Sequence, residues 1–229
     1  MNIVITGASS GIGAATARAL ADSGAHLILN GRNEAALAGV AEEVRGLGAS
    51  AETRVADLDI DAALDRFAAA LPDRIDVLIH SAGVVQLGPV ADLEVAELDR
   101  QYRVNVRVPF LLTQRALPAL RAAEGLAVFV NSGAGLRANP DWSGYAASKF
   151  ALKAIADALR AEEAEHGVRV TTVYPGRTAT PMQQEVRRQE GKPYDPDAFV
   201  SPESIAELIA GVVRTAPPAT VPDLTVRPA

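Results

Sequence analysis

Thr6-Gly7-Ala8-Ser9-Ser10-Gly11-Ile12-Gly13 decides how this chain reads. The apolar run Ile3–Thr6 before it has the character of a buried strand, and the Ala-rich stretch Gly11–Ser23 behind it has helical period. A glycine-rich turn between strand and helix offers backbone N–H groups and the positive end of a helix dipole, which together suit a pyrophosphate. Gly7 then permits the tight turn, Gly11 lets phosphates approach the backbone, and Gly13 lets the helix pack closely on the sheet. Ser9, Ser10 and Ile12 complete the loop.

The same residues satisfy G-x-S-x-G with Ser9 at its centre, and a nucleophile elbow also occupies a strand-to-helix turn. The pattern alone does not separate the two. A hydrolase needs serine, acid and histidine in that order, and the histidines are His26, His80 and His166. His26 falls in a strand too early to follow an acid, and His166 comes directly after a long helix, so the triad geometry disfavours that reading.

Working outward, short apolar runs at Leu27–Asn30, Ala51–Ala56, Ile75–His80, Leu126–Asn131, Val168–Tyr174 and Leu224–Val226 alternate with helical stretches. The helices are expected at Glu34–Leu47, Asp61–Leu71, Val95–Arg121, Ser143–Glu165 and Ser201–Arg214, with Pro109 and Pro118 kinking or shortening the fourth strand's crossover. Met182–Phe199 is long, charged and irregular. Strands joined by helical crossovers imply an α/β fold, a doubly wound parallel sheet with helices on both faces. At 229 residues the expectation is one domain over residues 1–229, with ligands beyond the carboxyl ends of the strands.

Hydrophobic residues make up 48% and charged residues 22%, enough to build a core. A net charge of −6 offers no general attraction to nucleic acid or to an anionic membrane. The absence of cysteine excludes disulfides, thiolate metal sites and cysteine nucleophiles, and no metal site is expected. Met1–Thr6 already reads as strand, with no basic leader and no membrane-length apolar run, so a cytoplasmic protein is expected.

In Tyr145-Ala146-Ala147-Ser148-Lys149 a tyrosine and a lysine stand four apart on a helical pattern and share a face. A phenol titrates near ~10, and an adjacent ammonium favours the phenolate and lowers that value. So tuned, the phenol can protonate a carbonyl oxygen as hydride arrives, or deprotonate an alcohol in reverse.

With this pair the chain resembles the short-chain dehydrogenase/reductase family in its ordinary single-domain branch, over essentially its whole length. TGASSGIG matches the glycine motif, Tyr145 and Lys149 the catalytic pair, Ser132 the catalytic serine thirteen residues earlier, and Asn105 the catalytic asparagine. Pro175-Gly176-Arg177-Thr178-Ala179-Thr180 matches the P-G-x-x-x-T stretch beside the nicotinamide, and Asp57-Leu58 the acidic turn at the adenine. The resemblance implies a Rossmann-type sheet and an NAD(P)(H)-dependent oxidoreductase acting on a small carbonyl or alcohol substrate. It implies that Ser132 bonds the substrate oxygen, Lys149 the nicotinamide ribose, and that Asn105 holds a water. It further implies pairing through the two long helices into a homodimer or homotetramer, and a substrate lid near 182–199. Where the family commonly has Asn-Asn-Ala-Gly, this chain has His80-Ser81-Ala82-Gly83. Ala82 and Gly83 keep room for the cofactor, and His80 reads as a hydrogen-bonded strand-end histidine.

At the end of the second strand Gly31 stands where NAD-preferring relatives carry an acid, and Arg32 follows, a planar guanidinium suited to a 2′-phosphate. NADP(H) is therefore expected to be preferred, with NAD(H) as the lesser cofactor. The substrate is unassigned, with 3-oxo or 3-hydroxy acids among the ketones and alcohols considered. Arg187, Arg188 and Lys192 could meet a carboxylate or thioester carrier, although a solvated charged face is the plainer reading. The alternative function is a non-catalytic NADP(H)-sensing Rossmann module, which would need no proton donor.

Overall fold

The computed structural model describes residues 1–228. Seven parallel strands run β1 (Asn2–Thr6), β2 (His26–Gly31), β3 (Ser50–Val55), β4 (Val77–His80), β5 (Leu126–Val130), β6 (Arg169–Pro175) and β7 (Asp223–Val226), in the spatial order β3-β2-β1-β4-β5-β6-β7. The helices are α1 (Gly11–Ala19), α2 (Glu34–Gly46), α3 (Asp61–Ala69), α4 (Val95–Tyr102), α5 (Val108–Ala123), α6 (Ser143–Glu162), α7 (Pro181–Gln189) and α8 (Pro202–Arg214). This is the doubly wound, Rossmann-type α/β sheet that the alternation implied.

Side chains on successive strand residues leave opposite faces of the sheet, and here both faces are buried. Ile3, Ile5, Leu27 and Leu29 pack on one side with Leu37 of α2 and Ile209 of α8. Val4, Ile28 and Leu78 pack on the other with Phe67 of α3 and Leu112 of α5, and Phe129 meets Leu152 of α6. Each fully buried aliphatic side chain contributes roughly 1.5–3 kcal/mol of burial free energy, so the central strands anchor the site above them.

The chain winds outward from β1 through β2 to β3, then crosses to β4 on the other side of β1. The turns after β1 and β4 therefore meet at the switch point. Thr6 Oγ1 accepts from the N–H groups of Ser81 (3.2 Å) and Ala82 (3.3 Å). Gly7 has φ +68°, and a Cβ there would lie 2.7 Å from Ala82 Cα. A Cβ on Gly13 would lie 2.3 Å from the Gly7 carbonyl oxygen, so its lack of a side chain serves the helix–turn contact.

Two expectations need correction. The stretch Val95–Arg121 is not one helix shortened by proline: α4 runs into a π-helical turn at Arg103–Arg107 and then into α5. Pro109 follows directly on the π-helical turn, where the backbone stays helical, and the helix continues through Pro118 to Ala123. Met182–Phe199 is not wholly irregular, because its first half belongs to α7. Thr180 caps that helix by accepting from Gln183 N–H (3.2 Å), and Pro181 starts it with φ already near the helical value.

Candidate active site

A cavity of about 410 Å³ lies beyond the carboxyl ends of the strands. Gly7, Ser9, Ser10, Gly11 and Ile12 line one end, with Arg32, Asp57 and Leu58 beside them. Ala82, Gly83, Ser132, Tyr145 and Lys149 form the floor, and Pro175, Gly176, Thr178 and Thr180 close the far side. Two expected site residues, Gly13 and Asn105, stand behind the wall.

Asn105 lies in the π-helical turn and is fully buried. A π-bulge inside a helix often marks a functional position, because it re-aims one residue. Its Nδ2 donates to the Val84 carbonyl (2.9 Å) and to Ser148 Oγ (3.0 Å), and its Oδ1 accepts from Val84 N–H (2.9 Å). Ser148 Oγ donates in turn to the Tyr145 carbonyl (2.7 Å). The asparagine side chain thus joins the turn after β4 to the first turns of α6.

Tyr145 and Lys149 project from α6 toward the end of β5 and are both buried. Lys149 Nζ donates to the Val130 carbonyl (3.1 Å) and stands 5.8 Å from the centroid of the Tyr145 ring. Asn131, just past β5, fixes the register between strand and helix. Its Nδ2 donates to the Lys149 carbonyl (3.0 Å), and its Oδ1 accepts from Ser132 N–H (2.8 Å). Ser132 Oγ accepts from Ala134 N–H (3.1 Å) and stands beside the phenol.

A cavity that unites a glycine turn at a helix N-terminus with a half-buried serine and a buried tyrosine and lysine admits comparison with known proteins. Residues 1–191 match the family model described as short chain dehydrogenase. The chain belongs to the short-chain dehydrogenase/reductase family. An uncharacterized oxidoreductase of Staphylococcus epidermidis is 31% identical over 229 residues, covering 98% of this chain and 96% of the relative. Glycine betaine reductase ATRR of Emericella nidulans is 34% identical over 220 residues, which take in 92% of this chain but only 17% of that much longer protein. The crystal structure of a metagenomic short-chain oxidoreductase in complex with NADP superposes with a TM-score of 0.85 at 32% identity, covering 100% of this chain and 97% of that one.

In this short-chain dehydrogenase/reductase the electrostatics of the pair differ from the sequence expectation. Burial pushes the Tyr145 phenol up to about 12, against a smaller lowering by the Ser132 hydroxyl. Burial likewise brings the Lys149 ammonium down to about 8. Loss of solvent disfavours the charged form of each, and the ammonium spends its short contact on Val130 instead of the phenol. His80 is buried with its Nε2 sharing a 2.8 Å hydrogen bond with Thr113 Oγ1, and it stacks on Phe129 at 4.8 Å. Desolvation holds it neutral, down to about 3, and it does not line the cavity.

At the second strand, a Cβ on Gly31 would lie 3.0 Å from Ser9 Cβ and Oγ. A side chain there would press on the Ser9 side chain, which would have to give by a few tenths of an ångström. Arg32 is exposed along its side chain (63%), and its Nη1 lies 3.9 Å from Asp57 Oδ2. The guanidinium therefore extends along the cavity edge with one loosely placed carboxylate as neighbour.

Sequence reasoning passed over three residues that line the cavity: Trp142, Arg177 and Gln183. Trp142 packs edge-on against Tyr145, with centroids 5.9 Å apart and planes at 68°. Its spacing of three before Tyr145 could have flagged it, since such pairs share a helix face. Arg177 Cζ lies 5.8 Å from the Trp142 ring centroid. The lid cations point elsewhere: Arg188 pairs with Glu185 (2.5 Å) and Arg187 with Glu190 (3.0 Å).

Proposed function

We propose that this chain is an NADP(H)-preferring oxidoreductase that interconverts a carbonyl and an alcohol, with Tyr145 as its acid/base. The observation that carries this reading is the buried phenol of Tyr145 on the floor of the cavity that the glycine turn opens into. The site fits a dinucleotide. Ser10, at the N-cap of α1, makes no side-chain cap, which leaves the first N–H groups of the helix for a phosphate. A Cβ on Gly83 would point between Asn105 Oδ1 (3.3 Å), Met182 Cε (3.7 Å) and Lys149 Nζ (3.9 Å), space kept open on the cavity floor.

Gly7, Ser9, Ser10, Gly11 and Ile12 would hold the pyrophosphate, Arg32 the 2′-phosphate, Asp57 and Leu58 the adenine, and Thr178 and Thr180 the nicotinamide end. The chemistry the cofactor supplies when bound is donation of a hydride to the carbonyl carbon, or its acceptance from an alcohol. The chain's own work is on the oxygen. Tyr145 gives its phenolic proton to the carbonyl oxygen as charge develops there, and the Ser132 hydroxyl orients that oxygen. The Lys149 ammonium, one helical turn on, stabilises the phenolate left behind. Asn105 is a positioning residue that holds Val84 and α6 in register. Residues 182–199 act as the substrate lid: Met182, Gln183 and Val186 of α7 face the cavity, and Gln189 Oε1 accepts from Leu87 N–H (2.7 Å). A module that only sensed NADP(H) would have no need of the Tyr145 proton donor.

Tyr145→Phe tests the reading. It keeps the ring and its packing, so NADPH binding should remain within about twofold while turnover on a panel of ketones, aldehydes, quinones and 3-oxo acids falls by at least ~10²-fold. Near-normal turnover in the variant would overturn the mechanism. Tight NADPH binding by the wild type with turnover on none of the panel would favour the sensor.

A further inference from the structure

We infer that the substrate carries a carboxylate on a flat apolar skeleton, and that Arg177 recognises that carboxylate across Trp142 from Tyr145. The inference rests on the reading of Tyr145 as the acid/base for where the reacting carbon lies, and on charge for the rest. Val84, Val85, Met182 and Val186 give the cavity an apolar lining beside Trp142. The guanidinium of Arg177 breaks that pattern, stacked 5.8 Å from the indole while the indole edge meets the Tyr145 ring at 5.9 Å. The three side chains form a continuous wall with the proton donor at one end and a cation at the other.

That cation belongs to an ion group that carries more positive than negative charge. Arg177 donates through Nη1 to Glu190 Oε2 (3.0 Å) and through Nη2 to Oε1 (2.6 Å). Arg187 donates through Nη1 to the same Oε2 (3.0 Å), and through Nε to the Pro193 carbonyl (2.9 Å). Two guanidinium groups thus share one carboxylate, leaving one positive charge unpaired among the described residues. The pull of both guanidinium groups holds the Glu190 carboxyl below its ordinary range, so the group stays at net +1 through neutrality. Glu190 occupies the Nη1/Nη2 end of the Arg177 guanidinium, so a second carboxylate would meet its Nε edge, drawn there by the surplus positive charge of the group. A neutral or cationic substrate would leave it unpaired.

Trp142 is the only tryptophan of the chain, so its emission reports this wall directly. Protein saturated with NADP⁺ would be titrated with benzoate and with benzamide, which share shape and differ in charge. Benzoate should quench saturably and bind at least about threefold more tightly, the scale of one partly exposed charge-assisted contact. Arg177→Gln should bring benzoate down to the benzamide level. Glu190→Gln should act in the opposite direction and strengthen benzoate, because it frees both guanidinium groups, whereas a merely bracing role for this ion group predicts that both variants weaken both probes alike. Equal binding of the two probes, no saturable quenching, or a loss of benzoate affinity in Glu190→Gln would overturn the proposal. If Arg177→Gln does not fold, the direction of the Glu190→Gln change decides alone. Ketone turnover that depends on Tyr145 without a benzoate preference would defeat only the carboxylate; a benzoate preference without turnover would defeat only the oxidoreductase reading.

Discussion

Asn105 donates a 3.0 Å hydrogen bond to Ser148 across the junction of the π-helical turn and α6, and both side chains are fully buried. Asn105 also holds both polar groups of the half-buried Val84, so it satisfies three partners at once. Asn105→Ala would leave the Val84 N–H and carbonyl without their partner, at about 1–3 kcal/mol for each group that water cannot reach, while Ser148 Oγ keeps its bond to the Tyr145 carbonyl. Ser148→Ala keeps the two Val84 bonds. Thermal unfolding should therefore show Asn105→Ala lowered by at least about 4 °C, and by more than Ser148→Ala. Equal shifts would mean that the Val84 bonds contribute nothing.

The raised phenol and lowered ammonium set opposite pH trends for the two directions. With Tyr145 up at about 12 the phenol stays protonated through neutrality, so under the proposed mechanism it would donate its proton without titrating. Carbonyl reduction should be level from pH 6 to 7.5 and decline above about 8, where Lys149 loses the charge that stabilises the phenolate. Alcohol oxidation needs the phenolate, whose small fraction grows about tenfold per pH unit below 12, so kcat/KM should rise steadily over the same range. Profiles of kcat/KM in both directions test this. A reduction rate that climbs from pH 6 to 8 would contradict it.

Arg32 is expected to carry most of the preference for NADP(H). Its guanidinium lies at the cavity edge, where Gly31 brings no acid beside Ser9. A charge-assisted bond to the 2′-phosphate contributes about 1.5–3 kcal/mol, or roughly 10–150-fold in affinity. The nearby Asp57 carboxylate should hold the effect toward the lower end. Titration of Arg32→Ala should show NADPH weakened by about that factor and NADH nearly unchanged. Equal weakening of both would assign Arg32 to the loop instead of the phosphate.

Assembly through α5 and α6 is the remaining expectation. Phe110 is 46% exposed on α5 and Phe150 44% exposed on α6, and Ala147, Ala154 and Ala158 continue the α6 stripe with side chains small enough for close helix packing. Phe150→Glu should convert a dimer or tetramer into smaller species in sedimentation at micromolar concentration. A wild-type protein that is monomeric there would refute the assembly.

What the sequence determined alone is what depends on near neighbours. The turn Gly7–Gly13, the alternation of strand and helix, and the four-residue spacing of Tyr145 and Lys149 are local, so periodicity and turn chemistry made them legible, including the doubly wound sheet they build. Ser132 and the Pro175–Thr180 stretch were reached through the family resemblance, and the fold puts both at strand ends, where one sheet collects its ligand groups. The tertiary structure decided the rest. Asn105, Val84 and Ser148 meet from three separate segments, and Arg177 finds Glu190 and Trp142 by folding, so no spacing in the chain announces either group. The sign of the Tyr145 shift belongs there too. An ammonium one turn away argues for a lowered phenol, but burial acts on both groups and outweighs it, and burial is a property of the whole fold.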